Sequence, residues 1–155
     1  MAHEAIKMDR VEEITKKYAG DSSALIQVLL DIQRENRWLP KDILKLVSQR
    51  LGVPLTQIYH IATFYKAFSL TPRGRHLVRV CMGTACHTRG APRLLDRVSQ
   101  ILQLKPGETS EDMRFSLDTV NCLGCCAKGP VMTVDDTYYG PLTVSDVEKV
   151  LEKYS

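Results

Sequence analysis

The placement of its five cysteines restricts this chain more than any other feature, because all of them follow residue 80 of 155. Cys81 and Cys86 stand in Cys-Met-Gly-Thr-Ala-Cys, and Cys122, Cys125 and Cys126 stand in Cys-Leu-Gly-Cys-Cys. The N-terminus does not resemble a signal peptide, and an odd number of cysteines in such a chain argues against a framework of disulfides. The chemistry of the thiols therefore belongs to the second half of the chain.

The second half of the chain alternates between strand-like and helix-like patterns. Its hydrophobic periodicity predicts, in order, a strand at Leu77 to Cys81, a helix at Pro92 to Leu104, a strand at Met113 to Thr119, a hairpin from Val131 to Tyr139 and a final helix that starts near Thr143. The resulting order is β-α-β-β-β-α. The first β-α-β unit can form a parallel pair of strands through a right-handed crossover.

Both groups of cysteines follow strands of that first unit. Neighbouring parallel strands end at the same edge of a sheet, so we expect the loops that carry Cys81 and Cys122 to meet there. Gly83 and Gly124 would let these loops bend and point N–H groups at sulfur. Two pairs of thiolates from two loops suit a [2Fe–2S] cluster, which takes two ligands for each iron. The spacing also suits structural zinc, and it leaves both Cys125 and Cys126 available as the fourth ligand.

The first half of the chain contains no cysteine and predicts three or four short amphipathic helices. In the clearest helix, Leu25, Val28, Leu29 and Ile32 recur at the spacing that places them on one face. This helix would end at Pro40. Further patterns predict helices near Met8 to Tyr18, near Leu44 to Leu51 and after Pro54. Together these segments predict a small helical bundle.

A domain boundary is predicted at Thr71-Pro72-Arg73-Gly74-Arg75, a polar stretch that contains both strong chain breakers. We therefore expect a helical domain at residues 1–72 and an α/β domain at residues 73–155. The helical domain also contains an aromatic stripe that either packs in its core or covers a partner protein. The stripe consists of Tyr59, Phe64, Tyr65 and Phe68.

Longer stretches around the cysteines resemble a known family. These stretches are Cys-Met-Gly-Thr-Ala-Cys-His-Thr-Arg-Gly-Ala and Cys-Leu-Gly-Cys-Cys-Ala-Lys-Gly-Pro-Val, and Trp38-Leu39-Pro40 and Thr63-Phe64-Tyr65 extend the likeness into the helical half. Together they resemble the thioredoxin-like [2Fe–2S] subunits of respiratory complex I and of NAD(P)-linked hydrogenases and formate dehydrogenases, including electron-bifurcating ones. The version Gly-Thr-Ala-Cys-His-x-Arg-Gly-Ala is closer to the hydrogenase and formate dehydrogenase members.

This resemblance implies a helical bundle followed by a thioredoxin-like α/β domain that holds a [2Fe–2S] cluster. It implies Cys81, Cys86, Cys122 and Cys126 as the cluster and metal ligands, since the family spacing selects Cys126 over Cys125. It also implies electron transfer in an NAD(P)H-dependent complex, with no catalysis by the chain itself. The partners would be a flavin- and NAD(P)-binding subunit, on which the helical domain docks, and further iron–sulfur subunits.

Three other readings of the sequence compete with this one. A free-standing ferredoxin-like shuttle or redox sensor is the alternative function, although such a protein does not need so long a helical module. Cys122-Leu-Gly-Cys125 is formally a dithiol motif, but in thioredoxin-type enzymes that motif opens a helix, and here Gly129-Pro130 and a strand follow. His87 invites comparison with Rieske centres, yet four cysteines already complete a ligand set.

Composition argues against two further classes of protein. The formal net charge is only +3, and the basic residues form neither a long run nor a nucleic-acid motif. No apolar run approaches the ~20 residues of a membrane-spanning helix. We therefore expect a soluble, cytoplasmic protein that does not bind nucleic acid and does not insert directly into a membrane.

Overall fold

The structure is a computed structural model that describes residues 8–154, and the chain divides into two units between Pro72 and Arg73. The described part of the first unit contains four α-helices, which are α1 (Met8–Lys17), α2 (Leu25–Asn36), α3 (Lys41–Leu51) and α4 (Leu55–Phe64). A 3-10 turn at Ser22–Ala24 leads into α2. The helices predicted from the hydrophobic pattern are confirmed.

Local chemistry accounts for the ends of these helices. The side chain of Asp21 accepts a hydrogen bond from the Ser23 N–H at 2.8 Å and caps the turn before α2. Gly52 ends α3 with a φ of 64°, a left-handed conformation that costs glycine little. The prediction that Pro40 stops α2 is wrong. The helix ends earlier because Arg37 leaves the helical conformation with a φ of 69°.

The four helices pack their apolar faces into one core. Val28, Leu29 and Ile32 of α2 and Leu44 and Val47 of α3 are all fully buried. Complete burial of an aliphatic side chain of this size contributes about 1.5–3 kcal/mol. The residues that the 3.6-residue period places on one face are therefore the ones that stabilise the bundle.

Within residues 73–154 the second unit is an α/β fold around a four-stranded sheet. Its elements are β1 (His76–Cys81), α5 (Thr84–Thr88), α6 (Ala91–Leu102), β2 (Phe115–Val120), β3 (Met132–Val134), β4 (Thr137–Tyr139) and α7 (Asp146–Glu152). The strands lie in the order β2-β1-β3-β4, with β1 parallel to β2 and antiparallel to β3. The predicted parallel pair and hairpin are confirmed.

The core of this unit lies between the sheet and the two longer helices. Val78 and Val80 of β1 are buried in one cluster with Leu94 of α6 and Val147 of α7. This packing anchors β1 along its length and so fixes the position of Cys81 at the end of the strand.

No helix within residues 8–154 combines the length and apolar character needed to cross a membrane.

Strand β2 departs from the alternation of its sequence. It begins at Phe115, because Met113 takes a φ of 56° that a strand does not accommodate. Ser116 stands in sequence between the apolar residues Phe115 and Leu117, an alternation that predicts it on the polar face, yet it is buried. Its hydroxyl accepts a hydrogen bond from the Gly74 N–H at 2.7 Å, which satisfies the buried oxygen.

Candidate metal centre

The first cysteine segment, residues 81–90, continues directly from β1. Cys81 is the last residue of the strand, and its N–H donates to the carbonyl of Val131 at 3.1 Å. The chain then turns at Gly83 into α5, a short helix that the sequence pattern does not predict and that carries Cys86. Cys81 and Cys86 are each only 2% exposed. The sheet and α5 therefore hold this pair of thiols inside the protein.

The second cysteine segment, residues 122–130, follows β2 after one residue. Gly124 takes a φ of 78°, and its N–H donates to Cys122 Sγ at 3.3 Å. Cys126 begins a single 3-10 turn that ends at Lys128. Cys122 and Cys126 are exposed, and Cys125 is half-buried. This segment presents its thiols at the surface.

The fold brings the predicted ligands together as two pairs. The thiols of Cys81 and Cys86 lie close enough to shift each other's pKa, and the Cys122 thiol likewise shifts the pKa of Cys126. The pairs are also close to each other, because the Cys126 thiol interacts electrostatically with Cys81 and Cys86. Within the second segment, the Cys126 thiol interacts with Cys122 and with both thiols of the first pair. All four residues of the predicted set meet at one edge of the sheet.

The surroundings shift the pKa of three of these thiols. Burial acts to raise the pKa of Cys81, but the N–H groups of Gly83 and Leu123 and the Cys86 thiol together hold it below its usual value. Burial and the neighbouring Cys81 raise the pKa of Cys86. The hydrogen bond with Cys122 is the main cause that raises the pKa of Cys126. Since metals bind thiolates, loading this site releases protons and is favoured as the pH rises.

Two glycines allow the segments to approach each other. A Cβ on Gly83 would lie 2.5 Å from the carbonyl oxygen of Asn121, which precedes the second segment. A Cβ on Gly129 would lie 3.1 Å from Cys86 Sγ. A side chain at either position would push the two segments apart. Close approach of backbone to backbone and to sulfur is the physical requirement for glycine at these two positions.

The side chains present fit a two-iron cluster. They supply four thiols in two pairs, the two-plus-two ligand set that a [2Fe–2S] cluster requires. The Gly124 N–H donates to Cys122 Sγ, and the N–H groups of Gly83 and Leu123 lower the pKa of Cys81, so the backbone favours negative charge on sulfur. Among residues 8–154, no group of three or more His, Cys, Asp or Glu side chains is arranged to hold one metal ion. The thiols are arranged as pairs, and each pair can supply two ligands to one iron.

The competing motifs are placed differently. Cys122 does not open an α-helix as the first cysteine of a dithiol enzyme does, because the regular structure in residues 122–130 is a 3-10 turn at Cys126–Lys128. His87 lies on α5 with its side chain exposed. Sequence reasoning did not identify the backbone N–H groups of Leu123 and Val131 as donors to sulfur, nor Arg89 as a residue of the site. All three residues belong to the motifs around the cysteines, but those motifs do not show which backbone N–H groups or side chains reach the site.

The fold and the paired thiols together define a thioredoxin-like iron–sulfur protein. The sequence profile of the thioredoxin-like [2Fe-2S] ferredoxin family matches residues 11–155. The chain belongs to this family, and its cofactor is a [2Fe–2S] cluster.

Named relatives fall into two groups. The chain is 36% identical over 130 residues to the HndA subunit of the NADP-reducing hydrogenase of Solidesulfovibrio fructosivorans, covering 84% of this chain and 76% of that protein. It is also 36% identical over 151 residues to a subunit of the NADH-quinone oxidoreductase of Rickettsia felis, covering 96% of this chain and 90% of that protein. These two identities are equal, so overall identity does not favour the hydrogenase type over the complex I type.

A solved structure shares the fold. It is an NAD+-reducing [NiFe]-hydrogenase in its air-oxidized state, with a TM-score of 0.74 and 21% sequence identity. The alignment covers 84% of this chain but only 22% of the hydrogenase chain. The chain therefore corresponds to about a fifth of that longer protein, and the likeness concerns the fold.

Proposed function

We propose that this chain is the electron-transferring [2Fe–2S] subunit of a multisubunit, NAD(P)H-linked oxidoreductase. In this proposal Cys81 and Cys86 hold one iron, and Cys122 and Cys126 hold the other. The observation that carries it is the meeting of these four thiols from two separate segments at one edge of the sheet. The names of the relatives support a role as a subunit over a free-standing shuttle or sensor.

The cluster, when bound, supplies one-electron transfer, and the chain supplies its surroundings. The buried pair, Cys81 and Cys86, keeps water from one side of the site. The exposed pair, Cys122 and Cys126, faces the surface, so electrons would enter and leave on that side. Sulfur accepts hydrogen bonds from backbone N–H groups on both segments, which favours the more negative, reduced state.

Iron analysis and spectroscopy of the purified chain test the ligand set. We expect two iron and two sulfide per chain, as the [2Fe–2S] cofactor requires, and a rhombic EPR signal after reduction. Stoichiometric zinc in a colourless protein would contradict the proposal, because zinc thiolate does not absorb visible light. We expect the isolated chain to bind no NAD(P)H and to catalyse no reaction, which calorimetry with the nucleotide checks.

The partner in this proposal is a flavin- and NAD(P)-binding subunit, alongside further iron–sulfur subunits, in the cytoplasm. The helical domain, residues 1–72, would dock on the flavoprotein. Two neighbouring aromatic residues at the end of α4 support this role, because Phe64 is 70% exposed and Tyr65 is 45% exposed. Their rings are in edge-to-face contact at 5.0 Å. Exposed aromatic pairs of this kind are typical anchors of protein interfaces.

A single substitution tests the docking role. Phe64→Ser removes an exposed ring, so we expect the cluster and the fold to be retained while affinity for the flavin-binding subunit falls by about tenfold or more. Tyr138→Ser is the matched control, since Tyr138 is 55% exposed on β4 of the other unit. Co-purified flavin per cluster and the rate of cluster reduction by NAD(P)H are the measurements. Equal loss in both variants, or no loss in either, would contradict docking through α4.

A further inference from the structure

Arg89 is connected to both cysteine segments. It follows α5 directly, and its backbone N–H donates to the carbonyl of Cys86 at 3.2 Å. Its side-chain Nη1 donates to the carbonyl of Cys126 at 2.8 Å and to that of Ala127 at 3.3 Å. One residue thus binds the main chain of one ligand from each pair, although these ligands are 40 positions apart in sequence.

The stem of the arginine packs in the same place. A Cβ on Gly129 would lie 3.6 Å from Arg89 Cδ and 3.1 Å from Cys86 Sγ. The methylene chain, the glycine and the sulfur therefore lie side by side. The side chain crosses from the first segment over Gly129 to reach the turn that begins at Cys126. This route connects the main chain of the first segment with that of the second.

Charge gives Arg89 a second effect on the site. Residues 82–95 and 119–134 contain no Asp or Glu, so these stretches place no carboxylate in sequence beside the guanidinium. Its partners there are neutral carbonyl oxygens. The guanidinium carries a positive charge. A fixed positive charge beside a cluster favours the reduced form, which carries one more negative charge.

We propose that Arg89 is a positioning residue for the cluster, which fastens the second cysteine segment to the first and raises the reduction potential of the site. The inference rests on the proposed ligand set. Lysine would preserve the charge, but its ammonium stands one bond nearer the main chain than Nη1 and is more strongly hydrated, so it should hold the two carbonyl oxygens less firmly. The two effects are therefore separable by substitution.

The test compares R89Q, R89K and R93Q in the full-length, cluster-loaded protein. Arg93 is the matched control, because it is an exposed arginine on the neighbouring helix α6. Two quantities are measured: the rate of cluster loss to an iron chelator, followed by visible absorption, and the midpoint potential, followed by EPR. In R89Q we expect release about tenfold faster, the scale of one or two charged hydrogen bonds, and a lower midpoint potential.

The other variants separate the effect of the hydrogen bonds on cluster release from the effect of the charge on the midpoint potential. R89K should release its cluster faster than the parent protein while its midpoint potential stays close to the parent value. R93Q should release its cluster at the parent rate. Far-UV circular dichroism of each variant confirms that the fold is retained.

The inference is overturned if R89Q matches R93Q in both release rate and potential. It is also overturned if R89K and R89Q show the same lowered potential, because the charge would then have no role. If the parent protein takes up no cluster at all, the proposed function fails and the inference with it. A loaded parent protein with an unaffected R89Q variant overturns the inference alone.

Discussion

The two cysteine segments supply one pair of thiols each, yet the fold holds them differently. In the first segment, Cys81 ends a core strand and Cys86 sits on α5, and both are buried. In the second segment, Cys122 and Cys126 are exposed, and the only regular structure there is one 3-10 turn. The first pair is built by the sheet, whereas the second pair depends on contacts made across to it.

This difference indicates which part of the site exists before the cluster arrives. Hydrogen bonds of β1 with its neighbours fix Cys81 whether or not a cluster is bound. The second segment has few buried contacts of its own, and such segments open at low free energy. A cluster that joins both pairs would therefore order the second segment more than the first. The two segments should respond differently to loss of a ligand, loss of the cluster and local strain.

The largest effect is expected from replacing, one at a time, the two neighbouring cysteines of the second segment with serine. Cys126→Ser should abolish cluster binding, because the Cys126 thiol interacts with Cys122 and with both thiols of the first pair. Cys125→Ser should retain the cluster at the parent level. Iron and sulfide content after purification checks both variants. Retention in Cys126→Ser with loss in Cys125→Ser would reverse the assignment of the fourth ligand.

Removing the cluster should affect the two segments unequally. We expect amide hydrogen exchange in residues 122–128 to accelerate by about tenfold or more after chelation, since local opening then lacks a ligand to oppose it. Exchange in β1 (His76–Cys81) should change little, because the sheet protects it. Mass spectrometry of the loaded and cluster-free proteins measures both. Similar acceleration in both regions would mean that the cluster orders the whole edge of the sheet.

Glycine substitutions sharpen the same contrast. Gly83→Ala places a methyl group against the Asn121 carbonyl and should lower the free energy of unfolding of the cluster-free protein by about 1–3 kcal/mol. Gly124 has a φ of 78° and open space around it, so Gly124→Ala strains only the exposed segment. We expect it to change that free energy by about 0.5 kcal/mol or less and to weaken cluster retention instead.

Urea unfolding and chelator release measure these two outcomes. Gly124→Asn is the matched control, because asparagine tolerates positive φ better than alanine and should restore part of the cluster retention. Equal losses of unfolding free energy in Gly83→Ala and Gly124→Ala would show that the second segment is as firmly held as the first.

The smallest effect concerns the strand behind the second segment. Tyr139 on β4 shares a hydrogen bond of 2.8 Å with Tyr154, and the next residue, Gly140, lies against the Lys128 carbonyl. The hydrogen bond with Tyr154, helped by burial, raises the pKa of Tyr139 to about 12 from 10.0. An acid whose pKa is raised on folding stabilises the native state below the unfolded pKa, and that stability is lost as the pH rises toward the folded pKa.

Tyr139→Phe should therefore cost about 1 kcal/mol at neutral pH and should flatten the loss of stability between about pH 10 and about pH 12. Tyr138→Phe, at the exposed neighbouring position, is the control and should keep the alkaline slope. The urea midpoints of unfolding of both variants, measured from pH 7 to pH 12, show whether the alkaline slope depends on Tyr139. An unchanged slope in Tyr139→Phe would remove the Tyr139–Tyr154 pair as its cause.

Much of the fold follows from the local sequence pattern. The 3.6-residue period identifies the buried faces of α2 and α3, and the strand patterns with their connecting helix predict the parallel pairing of β1 with β2. Such patterns succeed because an amphipathic segment must bury its apolar side. They do not reveal α5, whose five residues are too few for a period. Nor do they reveal the burial of Ser116, which a backbone N–H from Gly74 satisfies.

By itself, the sequence determined the chemistry available to the site: two groups of cysteines at the ends of two strands that pair in parallel. Only the tertiary structure decided which N–H groups lie beside sulfur and which carbonyl oxygens Arg89 reaches. The physical reason is the separation in sequence of the residues that interact. Helix and strand patterns arise between residues a few positions apart, whereas the Arg89–Cys126 hydrogen bond joins residues 37 positions apart. That bond exists only once the sheet has brought the two segments to one edge.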